Sequence, residues 1–278
     1  MFFWHFVRSV PKIVIPAHLC YISICTKTDM EKAMNSTEYN GNILYGKKWA
    51  VCGDSFTSGV TGSVFEDGFC KGMPKTYPYF IAERNHMEIV RFFEGGRCLG
   101  YPADNTFHNS LTDPTQDFYY RNIPEDADYI TIYLGINDSH HEHGKAKDGE
   151  DPTGPIPIGT MEDQTTATYC GAWNEVLSWL IENRPFAHIG MLVSNGCDRE
   201  EYRTVQINMA KKYGIPYIDM NGDRFTPVMI RSQNPDISAE VKRTVMLKQA
   251  VDYPHNTHPN DKAHEYESCF IEDFLRRI

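Results

Sequence analysis

Several things are missing from this sequence, and each absence removes a class of function. None of the eight cysteines (20, 25, 52, 70, 98, 170, 197, 269) forms a CxxC pair or part of a spaced framework. No structural disulfide set and no cysteine-based zinc site is therefore expected, and a thiol such as Cys52, set in an apolar run, suits a small buried hydrophobe in a reduced protein. Basic charge is scarce: 27 Lys and Arg stand against 37 Asp and Glu, a formal net charge of -10. Late in the chain the only adjacent basic residues are the pairs Lys211-Lys212, Lys242-Arg243 and Arg276-Arg277. A nucleic-acid backbone as partner needs clustered cations, so it is excluded. There is no GxxxxGK[ST], and "GGRCLG" lacks GxGxxG spacing, which removes the common nucleotide cradles.

A long apolar run is lacking too. The opening stretch "MFFWHFVRSVPKIVIPAHLCYISIC" is interrupted by His5, Arg8, Pro11, Lys12, Pro16 and His18, and has no basic start before an apolar core. It reads as neither a secretory signal nor a membrane span, which needs about 18 uninterrupted residues. Met30 and Met34 offer alternative starts, so a spurious extension and a genuine appendage are equal readings of the first 29 residues. With no clear leader and unpaired cysteines, a cytoplasmic setting is favoured over a membrane one.

What is present is material for a large core: 278 residues, 41% hydrophobic and 13% aromatic. From Lys47 onward strand-like and helix-like segments alternate. "WAVCGDS", "EIVRFFEGG", "DYITIYLGIND", "HIGMLVSNG" and "IPYIDM" read as strands. "YPYFIAERNHM", "TATYCGAWNEVLSWLIENR", "EYRTVQINMAKKYG" and "PNDKAHEYESCFIEDFLRRI" read as helices, the last capped by Asn260 or Asp261. Parallel neighbours need crossover connections, so this order implies an α/β domain with a mostly parallel sheet and helices on both faces. The expected organisation is an extension over residues 1–46 and one domain over 47–278. Two Gly- or Pro-rich insertions, Val60 to Pro74 and Asp148 to Gly159, read as covers or disordered loops.

Open parallel sheets bind ligands beyond the carboxyl ends of their strands. That rule gathers Ser55, Gly95 to Gly100, Gly135, Asn137, Asp138 and Ser194-Asn195 on one rim. Acyl transfer needs a nucleophile, a base and donors for the developing oxyanion. Ser55 ends the first strand in "GDSF", and Asn137 ends the third in "LGIND" with an amide able to donate. Gly100 can present a backbone N–H without a side chain in the way, and His258, in "NTHPND", precedes the last helix. Asp54 is expected to bond loop backbone rather than to react.

The ordered blocks "GDSF", a Gly-bearing turn, "GIND" and a late "HPN" resemble the SGNH (GDSL-type) hydrolase family. The resemblance runs from about Lys47 to the C-terminus. It implies a flavodoxin-like three-layer α/β/α sandwich, with a central sheet of about five strands, that hydrolyses esters without metal or cofactor. By motif position Ser55 is the nucleophile and first oxyanion donor, Gly100 and Asn137 complete the hole, and His258 is base and then acid. Two positions stay open. Gly96 competes with Gly100 in the glycine block, with Gly95 also in that turn. The family also expects an aspartate three residues before its histidine, where this chain has His255. Asp252 can orient His258 across the turn, a backbone carbonyl can do so, or Asp252-x-x-His255 is itself the pair.

The cluster "SHHEHG", Ser139 to Gly144, lacks a helical His pair with a downstream acid and reads as a loop lining the cleft rather than a metal site. The expected activity is a serine esterase acting on short acyl esters, with O-acetyl groups on carbohydrate as the leading substrate. A non-catalytic carbohydrate- or partner-binding module of the same fold is the alternative.

Overall fold

In β1, Lys48–Gly53, side chains alternate between two interiors, and this alternation organises the domain. Ala50 and Cys52 enter one hydrophobic cluster while Trp49 and Val51 enter a second, all fully buried. A strand with both faces covered must lie mid-sheet, where a parallel ladder is protected on each side. The computed structural model describes residues 41–59, 75–101, 109–140, 155–193, 199–221, 229, 232 and 234–278. The chain divides between Asn42 and Ile43, and every element below belongs to the unit Ile43–Ile278.

Five parallel strands form the sheet: β1, β2 (Glu88–Phe93), β3 (Tyr129–Tyr133), β4 (His188–Val193) and β5 (Tyr217–Asp219), in the order β2-β1-β3-β4-β5. This is the flavodoxin-like winding, whose order reverses at β1 and β3. Helices α4 (Tyr169–Asn183) and α5 (Glu200–Tyr213) bury Trp173, Val176, Leu177, Val205 and Met209 against one face. Helices α2 (Tyr77–Asn85) and α7 (Asp261–Leu275) bury Tyr77, Ile81, Ile271 and Phe274 against the other. The fold is thus a three-layer α/β/α sandwich. Thr168 caps α4 by accepting from Gly171 N–H, and α5 closes at the left-handed Gly214.

Two short helices follow strand ends: α1 (Ser55–Ser58) after β1 and α3 (Ile136–His140) after β3. After β5 the chain adds α6 (Ala239–Gln249) and an antiparallel pair, β6 (Ala250–Asp252) and β7 (Asn256–Pro259), leading into α7. Asn260 is the cap of α7, accepting from Ala263 N–H at 3.0 Å while its amide holds the Lys248 and Ala250 carbonyls at 3.0 Å. The Val60–Pro74 insertion, Ser194-Asn195 and residues 1–40 lie outside the described residues, as does the 148–154 part of the second insertion. Its 155–159 end is packed, with Ile156 buried and its N–H on the Asp138 carbonyl at 2.9 Å. No helix among the described residues is long and apolar enough to cross a membrane.

Candidate active site

The site begins with Gly53-Asp54-Ser55. A Cβ on Gly53 would sit 2.0 Å from Thr57 Oγ1, so only glycine lets α1 fold this tightly onto the end of β1. Asp54 is the N-cap: its carboxylate accepts from Phe56 N–H at 2.8 Å and its carbonyl from Thr57 and Ser58 N–H. Ser55 is therefore the first helical residue, and N–H groups at that position have no partner within their own helix.

Across 203 residues of chain, His258 Nε2 lies 2.9 Å from Ser55 Oγ. β7 delivers the histidine, and Phe56 packs beside it with ring centroids 5.4 Å apart. The other ring nitrogen, Nδ1, faces Asn256 Oδ1 at 2.9 Å, and the same oxygen accepts from His258 N–H at 3.1 Å. Asn137, on α3, donates one amide hydrogen to the Arg97 carbonyl at 3.0 Å; its amide nitrogen carries two. Buried Asp138 beside it accepts from Leu99 and Gly100 N–H at 2.9–3.0 Å, tying the loop after β2 to α3. The turn that opens this loop, Glu94 to Arg97, closes through Arg97 N–H on the Glu94 carbonyl, with Gly96 at φ 76°.

The family model described as GDSL-like lipase/acylhydrolase matches residues 51–266, most of the chain. The chain belongs to this family. This GDSL-type ester hydrolase has no match among curated protein sequences. Solved structures give its fold: a Lactobacillus plantarum protein at 20% identity and TM-score 0.56, covering 84% of this chain and 98% of its own. A candidate GDSL-like lipase from Bacteroides ovatus superposes at TM-score 0.53 and 17% identity, over 84% of this chain and 99% of its own. An acetyl xylan esterase from Butyrivibrio proteoclasticus superposes at TM-score 0.51 and 18% identity, over 84% of this chain and 64% of its own.

Within the esterase the predicted residues divide. Ser55 and His258 are in contact, while Asn137 lies on α3, past the end of β3, with one of its two amide hydrogens on the Arg97 carbonyl. Gly100 departs from expectation: its N–H is held by Asp138 Oδ1, and a Cβ there would press on Ile156 at 3.1 Å, so it is a packing and anchoring glycine. Gly95 and Gly96 have no hydrogen bond to their N–H groups among the described residues. Asp252 also departs from expectation as the partner of His258. Its carboxylate lies 3.5 Å from His255 Nδ1, and that histidine is 80% exposed on its side chain.

Asn256 is the site residue that sequence reasoning passed over. It stands two residues before His258, and neighbours two apart on a strand share a face. Its place two residues before His258, rather than a motif, is the signal that points to it.

Two buried thiols among the described residues are held in the protonated form. Burial pushes the Cys52 thiol up to about 12, and burial with Asp138 nearby holds Cys98 well above the ordinary range. Among the described residues no three His, Cys, Asp or Glu side chains form a metal cage; of the histidine-rich loop, residues 141–144 lie outside them.

Proposed function

We propose that this esterase works through a Ser55 acyl-enzyme. The observation that carries the reading is the 2.9 Å contact between Ser55 Oγ and His258 Nε2. His258 takes the hydroxyl proton as Ser55 Oγ attacks the ester carbonyl carbon, and returns it to the departing alcohol. Water, activated by the same imidazole, then attacks the acyl carbon and releases the acid with Ser55 restored. Ser55 N–H, at the open first turn of α1, and the second amide hydrogen of Asn137 hold the oxyanion. The third donor passes from Gly100 to Gly96, whose turn follows β2 beside Gly53, with Glu94 N–H on the Gly53 carbonyl.

The substrate class is a short acyl ester, with O-acetylated carbohydrate foremost. Its support is the acetyl xylan esterase among the structural neighbours and the family's acylhydrolase chemistry. The test is a series of p-nitrophenyl esters of rising chain length followed by acetylated oligosaccharides, run on the wild type and Ser55→Ala. Turnover is expected to be highest with acetyl and absent from Ser55→Ala, which also escapes labelling by an organophosphonate. A rate that climbs with chain length would overturn the substrate class, and an active Ser55→Ala the mechanism.

A further inference from the structure

We propose that Asn256 is a positioning residue of this esterase, its amide oxygen setting His258 in the tautomer that accepts a proton from Ser55. The inference rests on the Ser55–His258 reading above and adds to it a neutral partner where the family pattern has a carboxylate.

The tautomer follows from which groups can donate. A backbone N–H only donates, so the Asn256 atom 3.1 Å from His258 N–H is the amide oxygen, whichever way the ring is protonated. That oxygen also lies 2.9 Å from His258 Nδ1, and an amide oxygen only accepts. Nδ1 therefore carries the hydrogen, which leaves the Nε2 lone pair facing Ser55 Oγ at 2.9 Å. Asn256 and His258 stand two apart on β7, so one strand carries both the acceptor and the ring, and the ring meets Ser55 of α1.

The chemistry of such a triad differs from one with an aspartate. When the Ser55 proton passes to Nε2, the imidazolium keeps its Nδ1–H on the neutral amide dipole of Asn256 rather than on a carboxylate at that position. The one carboxylate of the hairpin, Asp252, is instead turned to His255. Replacing Asn256 by aspartate keeps the acceptor and adds charge, whereas leucine keeps the bulk and removes the acceptor.

The kcat/KM of p-nitrophenyl acetate hydrolysis is measured across pH for the wild type, Asn256→Asp and Asn256→Leu. Titratable groups on the elements packed against β7 are common to all three: Asp252 and His255 of the hairpin, Asp54 capping α1, and His264 and Glu267 of α7. Differences therefore report position 256. Asn256→Leu is expected to lose at least about tenfold in kcat, with KM within about twofold, because the ring is freed to take the other tautomer. Asn256→Asp is expected to keep the wild-type rate within severalfold at alkaline pH. Its acid limb should move up by about one pH unit, since a nearby negative charge favours the imidazolium. An acid limb that coincides with the wild type in Asn256→Asp, with undiminished kcat in Asn256→Leu, would overturn the proposal. If the leucine variant does not fold, the aspartate shift alone decides. Ser55→Ala in the same assay separates the two levels. Its activity would remove the Ser55–His258 reading itself, whereas a dead Ser55→Ala beside unmoved Asn256 variants removes the role of Asn256 only.

Discussion

A general base must reach the proton it removes, and His255 and His258, three positions apart, meet that condition differently. His258 Nε2 is at hydrogen-bond distance from Ser55, while the His255 side chain stands in solvent beside Asp252. His258→Ala is therefore expected to lower kcat by about 10³-fold or more, and His255→Ala to leave it within about twofold. Equal losses in the two variants, measured on one short ester, would contradict the assignment. Ser55, Asn137 and His258 were singled out in the sequence because their short motif blocks fall at the ends of predicted elements, and the structure brings Ser55 and His258 together. Asp252 and Gly100 were misread because their partners come from elsewhere. The Gly100 N–H is claimed by Asp138, 38 residues away, and Asp252 is turned outward by a hairpin that brings Asn256 under the ring instead. Spacing along a chain carries no record of which acceptor wins a given N–H.

At the scale of elements, the base is only as well placed as α7, because β7 runs into it through Pro259 and Asn260. The far end of α7 is fastened to α2 through Glu272, which accepts from Arg84 Nε at 2.7 Å, Asn85 Nδ2 at 3.0 Å and Arg276 Nη2 at 2.7 Å. Burial pulls the Glu272 carboxyl up, but the hydrogen bonds from Arg276, Asn85 and Arg84 outweigh it and hold it below the usual glutamate range. A depressed carboxyl contributes stability above its unfolded pKa and loses it as pH falls through the folded value. Glu272→Gln should thus cost about 1–2 kcal/mol near pH 7, with the gap closing below about pH 4. Urea unfolding of both proteins at the two pH values checks this, and a gap of constant size would refute it. Strands β1 to β4 and the helices α2, α4, α5 and α7 were readable because their apolar residues match their burial, and the three-residue β5 because it lies within the longer segment IPYIDM. Helix α6 buries no residue and so carries no stripe to read, and β6 and β7, at three and four residues, are too short for a period to show.

For the molecule as a whole, the sheet is one wall shared by two cores. Ile132, on β3, is fully buried in the cluster beneath α4 and α5, while Ile271, on α7, is fully buried in the cluster on the opposite face. Among the described residues no buried side chain belongs to both clusters, so a small loss on one side reaches the other through the strands. Ile132→Val and Ile271→Val should each cost about 0.5–1.5 kcal/mol, the range for deleting one buried methylene. The double variant should show their sum within about 0.5 kcal/mol, since distant sites without shared partners add. Unfolding should nevertheless remain a single transition with an unchanged urea slope, because neither layer of helices retains a covered apolar face once the sheet is lost. Two resolved transitions would mean that the cores melt separately. A coupling well beyond 0.5 kcal/mol would mean that the strands relay packing strain from the α4–α5 side to the side that carries His258.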